Sequence, residues 1–137
     1  MILIFNFPLE WGVIRMDWKA MALEKLRGYA AMRASLGNLE DELALLELGG
    51  GDPKAQRALE RAARQAQCWT RQVEAAMSVL TPEERRILDK CYVNRKRGAV
   101  DDLCGELGVE YSTVYRWRDR ALRRFAKAMF GNLAIDN

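Results

Sequence analysis

Tyr111, Ser112, Thr113, Tyr115 and Arg116 are the residues of this chain best suited to touch nucleic acid bases. Hydroxyls and a guanidinium hydrogen-bond base edges in a major groove, and a tyrosine ring can meet a thymine methyl. Arg95, Lys96 and Arg97 precede them, and Arg118, Arg120, Arg123, Arg124 and Lys127 lie beyond them. Cations in those places neutralise phosphates, which sets register without reading sequence. Arg116 and Arg118 project about 200° apart on a helix, so both cannot enter one groove. Arg116 is the better candidate for a base edge. Tyr115 reads equally well as a packing residue, and the run Arg95-Lys96-Arg97 equally well as a solvated loop.

Such groups need a rigid carrier. Leu103 and Leu107 give a short helix one apolar face, and Cys104 is small enough for a close helix crossing. Gly108 suits a turn with positive φ, which costs glycine little. Val109 plugs that turn. Ser112 is expected to cap a second helix, with Val114 and Trp117 facing back to the first. This is the pattern of a helix-turn-helix. Upstream, Thr81-Pro82-Glu83-Glu84 is a capping signature that opens a helix presenting Ile87, Leu88, Cys91 and Tyr92. Residues 94–98 break that helix with a basic loop. The apolar stripe of the last helix (Val114, Trp117, Ala121 or Leu122, and Phe125) is expected to pack on Leu88, Tyr92 and Leu107.

Residues 17–48 are strong helix formers without proline. Tyr29, Met32, Leu36, Leu39, Leu43 and Leu46 alternate by three and four, as in a coiled-coil seam. Gly28 and Gly37 interrupt this helix and point to a bend or a close helix approach. Gly49-Gly50-Gly51-Asp52-Pro53 ends it, with Asp52 and Pro53 suited to start another. That second helix carries Leu59, Ala62, Ala66, Trp69, Val73, Ala76 and Leu80 on one stripe. Two helices of similar length and a short loop predict an antiparallel hairpin. Leu36, Leu39, Leu43 and Leu46 are the candidate oligomerisation residues. Their seam is either satisfied within the hairpin or also builds a homodimer. A lone helix-turn-helix binds weakly and a dimer reads two half-sites, so a homodimer is favoured.

The fold class is therefore all-α: a helical hairpin over residues 16–80, then a three-helix domain over residues 81–130. Residues 131–137 read as a frayed tail. Residues 1–15 lack a basic start and a cleavage site, so a signal peptide is not expected there. Reverse translation of Trp11-Gly12-Val13 permits a ribosome-binding tract before the Met16 codon, so translation is expected to start at Met16 and residues 1–15 to be a non-native or disordered extension.

The chain has 137 residues, 22 basic and 19 acidic, and the surplus is local. Residues 1–80 hold 10 of each sign, whereas residues 81–137 hold 12 basic and 9 acidic side chains. That concentration beside the base-reading candidates is where phosphate neutralisation needs it. With no histidine, three widely spaced cysteines and no Cys-x-x-Cys pair, neither a zinc site nor the usual histidine proton relays are expected. Cys68, Cys91 and Cys104 fall on apolar-periodic positions and are expected in a core. Asp101 and Asp102 complement a helix dipole. No enzyme activity, metal or cofactor is expected, and no apolar run suits a membrane span. A reducing bacterial cytoplasm, with the protein on the nucleoid, fits this composition.

Residues 80–88, then Tyr92, then 103–108, then Ser112-Thr113-Val114-Tyr115-Arg116 and Arg120-Ala121-Leu122 resemble region 4 of bacterial sigma factors. That region reads the promoter −35 element. A helical hairpin followed by such a domain resembles phage late transcriptional regulators of the RinA/ArpU type. The resemblance implies activation of phage late genes. Asp102-Leu103-Cys104 stands where sigma-like domains often carry Glu-Ile-Ala, and Ala99 replaces a polar cap. Nothing resembles sigma region 2, so promoter melting is not implied. An RNA polymerase contact stays open, since no residue declares it. Two other readings remain: a phage small terminase subunit, which would form rings, and a protein-only adaptor or inhibitor.

Overall fold

The computed structural model describes residues 17–131, so the expectations for residues 1–15, the Met16 start and residues 132–137 lie outside it. The described residues form five α-helices and no strand: α1 (Trp18–Gly49), α2 (Pro53–Ser78), α3 (Pro82–Leu88), α4 (Ala99–Leu107) and α5 (Tyr111–Phe130). None of them is long and apolar enough to cross a membrane.

Local chemistry accounts for most helix ends. The Asp17 carboxylate accepts the Ala20 N–H at 3.1 Å and starts α1. Gly50 closes α1, and its N–H donates to the Leu46 carbonyl. Asp52 accepts the Lys54 N–H at 3.2 Å, with Pro53 in the first turn of α2. Thr81 and Glu84 form a reciprocal capping box: the Glu84 N–H donates to Thr81 Oγ1 at 3.2 Å, and the Thr81 N–H to Glu84 Oε1 at 2.9 Å.

The chain reverses between α1 and α2, and α2 returns along α1. At Gly28 they approach closely: a Cβ there would lie 2.7 Å from the Trp69 ring. The Trp69 indole N–H donates to the Lys25 carbonyl at 3.0 Å, and Lys25 Nζ sits 4.3 Å from the ring centroid. At Gly37 nothing lies within 4 Å, so the second interruption serves no close approach.

Two buried clusters hold the helices together. The larger joins Leu26 of α1, Val73 and Ala76 of α2, Leu88 of α3, and Ala121, Leu122, Phe125 and Ala126 of α5. The smaller joins Ile87, Cys91, Ala99, Leu103 and Val114, with Trp117 and Leu107 packed against it. The expected packing of α5 is present: Val114 and Trp117 share a cluster with Leu107, and Ala121, Leu122 and Phe125 share one with Leu88 and Tyr92. The second cluster also takes in α1 and α2, because a 20-residue helix spans about 30 Å and reaches beyond α3 and α4. Residues on both sides of the expected boundary at residue 80 thus share one core.

The helix after Thr81 departs from expectation. It widens into a π-helical turn over Asp89–Val93, where the Asn94 N–H donates to the Asp89 carbonyl at 2.8 Å. Such a turn takes in an extra residue and re-aims the chain beyond it, here the loop 94–98. Among the cysteines, Cys91 is buried and Cys104 half-buried, but Cys68 is exposed on α2 and not in the core as expected.

α4 is tied to α3 by charge. Arg86 makes a two-pronged contact with the Glu106 carboxylate at 2.8 and 3.2 Å, and Lys90 joins it at 3.0 Å. The Arg86 and Lys90 hydrogen bonds push the Glu106 pKa down to about 2. A depressed carboxylate contributes stability above its ordinary pKa, and that contribution fades as pH falls toward the folded value. Melting temperature is therefore expected to drop as pH falls from about 4.5 toward 2. In Glu106→Gln that part of the drop should disappear in melts at stepped pH. A variant that keeps the full drop would show that this exposed cluster contributes nothing.

Candidate nucleic-acid interface

Gly108, Val109 and Glu110 connect α4 to α5. Gly108 holds φ 67°, and its N–H donates to the Cys104 carbonyl at 2.9 Å, so any Cβ here would be strained. Glu110 is extended, and its carbonyl accepts the Thr113 and Val114 N–H groups, each at 3.1 Å. The helix therefore begins at Tyr111, earlier than expected, and no side chain caps it. Ser112 is not the cap; it is an exposed residue of the first turn.

Burial of Val114 fixes which way this turn faces. Ser112, Tyr115 and Arg116 are exposed, and Thr113 is half-buried. Arg116 Nη2 donates to Thr113 Oγ1 at 3.3 Å, a weak tie that leaves the guanidinium available. Tyr111 is engaged: its hydroxyl donates to the Asp101 carboxylate at the start of α4. That bond pushes the Tyr111 pKa up, and the tyrosine stays neutral.

The phosphate candidates divide by helix face. At about 100° per residue, Arg116, Arg120, Arg123 and Lys127 share the face of α5 opposite the core, and all four are exposed. Arg123 also meets Asp119 at 3.3 Å and stands 5.3 Å from the Trp18 ring of α1. Arg118 leaves this face and lies over two rings, 4.8 Å from Tyr115 and 5.8 Å from Tyr92.

Arg124 does not fit its expected role. Its Nη1 donates to Glu84 Oε1 at 2.6 Å, and its Nη2 reaches the Val79 carbonyl at 3.4 Å. Burial alone would raise the Glu84 pKa. Hydrogen bonds from the Thr81 backbone and Arg124 outweigh it and hold the carboxyl below its ordinary value. Arg124 is a structural cation that completes the capping box, about 80° around the helix from Arg116.

Arg95, Lys96 and Arg97 are all exposed. They border a hollow that also takes in Arg118, Tyr111, Tyr115 and, from α1, Arg27. Sequence reasoning missed Arg27, because a lone arginine in a long helix carries no local signal. Arg27 enters the site only through the docking of α1 on α5 and the π-helical turn.

The expected oligomerisation residues Leu36, Leu39, Leu43 and Leu46 are all half-buried. Beside them Leu45 and Leu48 are 59% and 86% exposed, so one chain leaves this part of α1 partly uncovered.

Comparison with protein-family models, curated proteins and solved structures gives no match.

Proposed function

We propose that this chain is a sequence-specific duplex DNA-binding transcriptional regulator of phage or prophage origin, acting on late genes. In this reading α4 and α5 are a helix-turn-helix, with the first turns of α5 in the major groove. The observation that carries it is the exposed face of α5. Ser112 and Arg116 stand on it unburied, and Arg120, Arg123 and Lys127 continue it as a row of cations. Phosphate contacts by that row would set register while Ser112, Tyr115 and Arg116 choose bases. The sigma region 4 resemblance of residues 80–126 supports the same placement, and the resemblance of the hairpin-plus-domain layout to phage late regulators supplies the phage assignment. The half-covered leucines of α1 support a homodimer.

The test is selection of bound duplexes from a random pool, with binding then measured across salt. One enriched sequence should emerge, and its affinity should fall steeply between about 50 and 200 mM salt. Equal binding to all duplexes would overturn the regulator reading, and salt-independent binding its electrostatic part. The mass of the assembly decides the remaining alternative. A dimer supports a regulator, and a ring of about eight or more subunits a packaging subunit.

A further inference from the structure

The hollow between α1, loop 94–98 and the starts of α4 and α5 has a volume of about 610 Å³. Arg27, Arg95, Lys96, Arg97 and Arg118 all line it. Among the described residues, none of these five cations joins an ion pair. Lys19, Arg33, Arg86, Lys90, Arg123 and Arg124 each do. The one carboxylate in the lining, Asp101, already accepts the Tyr111 hydroxyl. Tyr92 holds Arg27 and Arg118 together, each guanidinium 5.8 Å from its ring centroid. Gathered like charges repel, and an anion between them relieves that cost. Gly98, Ala99 and Val100 at the start of α4 also border the hollow, but Asp101 and Asp102 in its first turn offset the helix dipole, so the positive field comes from the five side chains.

We propose that this hollow seats a backbone phosphate of the bound duplex, which makes Arg27 of α1 part of the DNA interface. This rests on the DNA-binding reading and goes beyond it, since that reading places every contact in α5 and the loop. The hollow is continuous with the start of α5 through Tyr111 and Tyr115, which also line it. These two tyrosines lie about 100–140° around α5 from Arg116, so it is the strand flanking that side of the helix, not one along the Arg116–Lys127 row, that passes its mouth. Guanidinium groups suit a phosphodiester, because their paired donors match its oxygens.

The test uses the full chain and its selected duplex, with single phosphates replaced by neutral methylphosphonates in turn. One replacement should weaken the wild type several-fold, and Arg27→Gln should lose nothing further on that duplex. On the unmodified duplex, Arg27→Gln should flatten the salt dependence by about 0.9 in slope. Arg27→Lys, which keeps the charge, should retain the wild-type slope, as should Arg64→Gln on exposed α2. Lys96→Gln, in an exposed loop that cannot unfold the core, should couple to the same phosphate. Losses that simply add at every position, or an unchanged slope in Arg27→Gln, would overturn the phosphate seat and leave DNA binding standing. A wild type that binds no duplex would overturn the DNA reading itself, and the seat with it.

Discussion

Phe125→Ala is expected to cost about 3–5 kcal/mol and to lower the melting temperature by about 10–20 °C. The ring is fully buried and sits among residues of α1, α2, α3 and α5. Its removal leaves a cavity that four helices must collapse around, and helices fixed by other contacts collapse poorly. Because one core serves both halves of the chain, the wild type should unfold in a single transition by every probe. Phe125→Ala should lower that one transition rather than split it. Arg64→Ala makes the control, since Arg64 is exposed on α2 and its loss should stay within about 0.5 kcal/mol. A cost below about 1 kcal/mol for Phe125→Ala, or two separate wild-type transitions, would show that α5 does not bind the halves into one unit.

Arg116→Ala is expected to lose about 1–3 kcal/mol of discrimination between the selected duplex and a scrambled one. The side chain is exposed in the first turns of α5, and only Thr113 Oγ1 restrains it. Pairing to a guanine edge would use its two parallel donors, so truncation removes the preference and not merely the charge. Lys127→Ala, on the same face three turns on, should weaken all sequences alike and reduce the salt slope by about 1. Competition binding of both variants against both duplexes separates the roles. An unchanged ratio in Arg116→Ala would leave base choice to Ser112 and Tyr115.

The elements of this fold were legible because their signals are local. Asp17, Asp52 and Thr81 satisfy amides within three residues, and Gly108 permits a turn by its own lack of a Cβ. The spacing of Val114 and Trp117 set which face of α5 turns inward. Ser112 failed as a cap because the extended backbone at Glu110 receives the first amides without it. Cys68 failed as a core residue because periodicity alone does not say how wide the buried stripe of a helix is.

The sequence by itself determined the all-helical class, most helix ends and the basic, hydroxyl-bearing start of α5, all consequences of chemistry within a few residues. Tertiary structure decided how those cations are used. Arg124 and Glu84 are 40 positions apart, and only the packing of α5 beside α3 turns a candidate phosphate ligand into a buried carboxylate's partner. Arg27 lies far from Arg95 and Arg118 in the chain, and only the docking of α1 on the shared core brings them to one hollow. Charge acts through space, so a cation's role depends on which neighbour folding brings within a few ångströms.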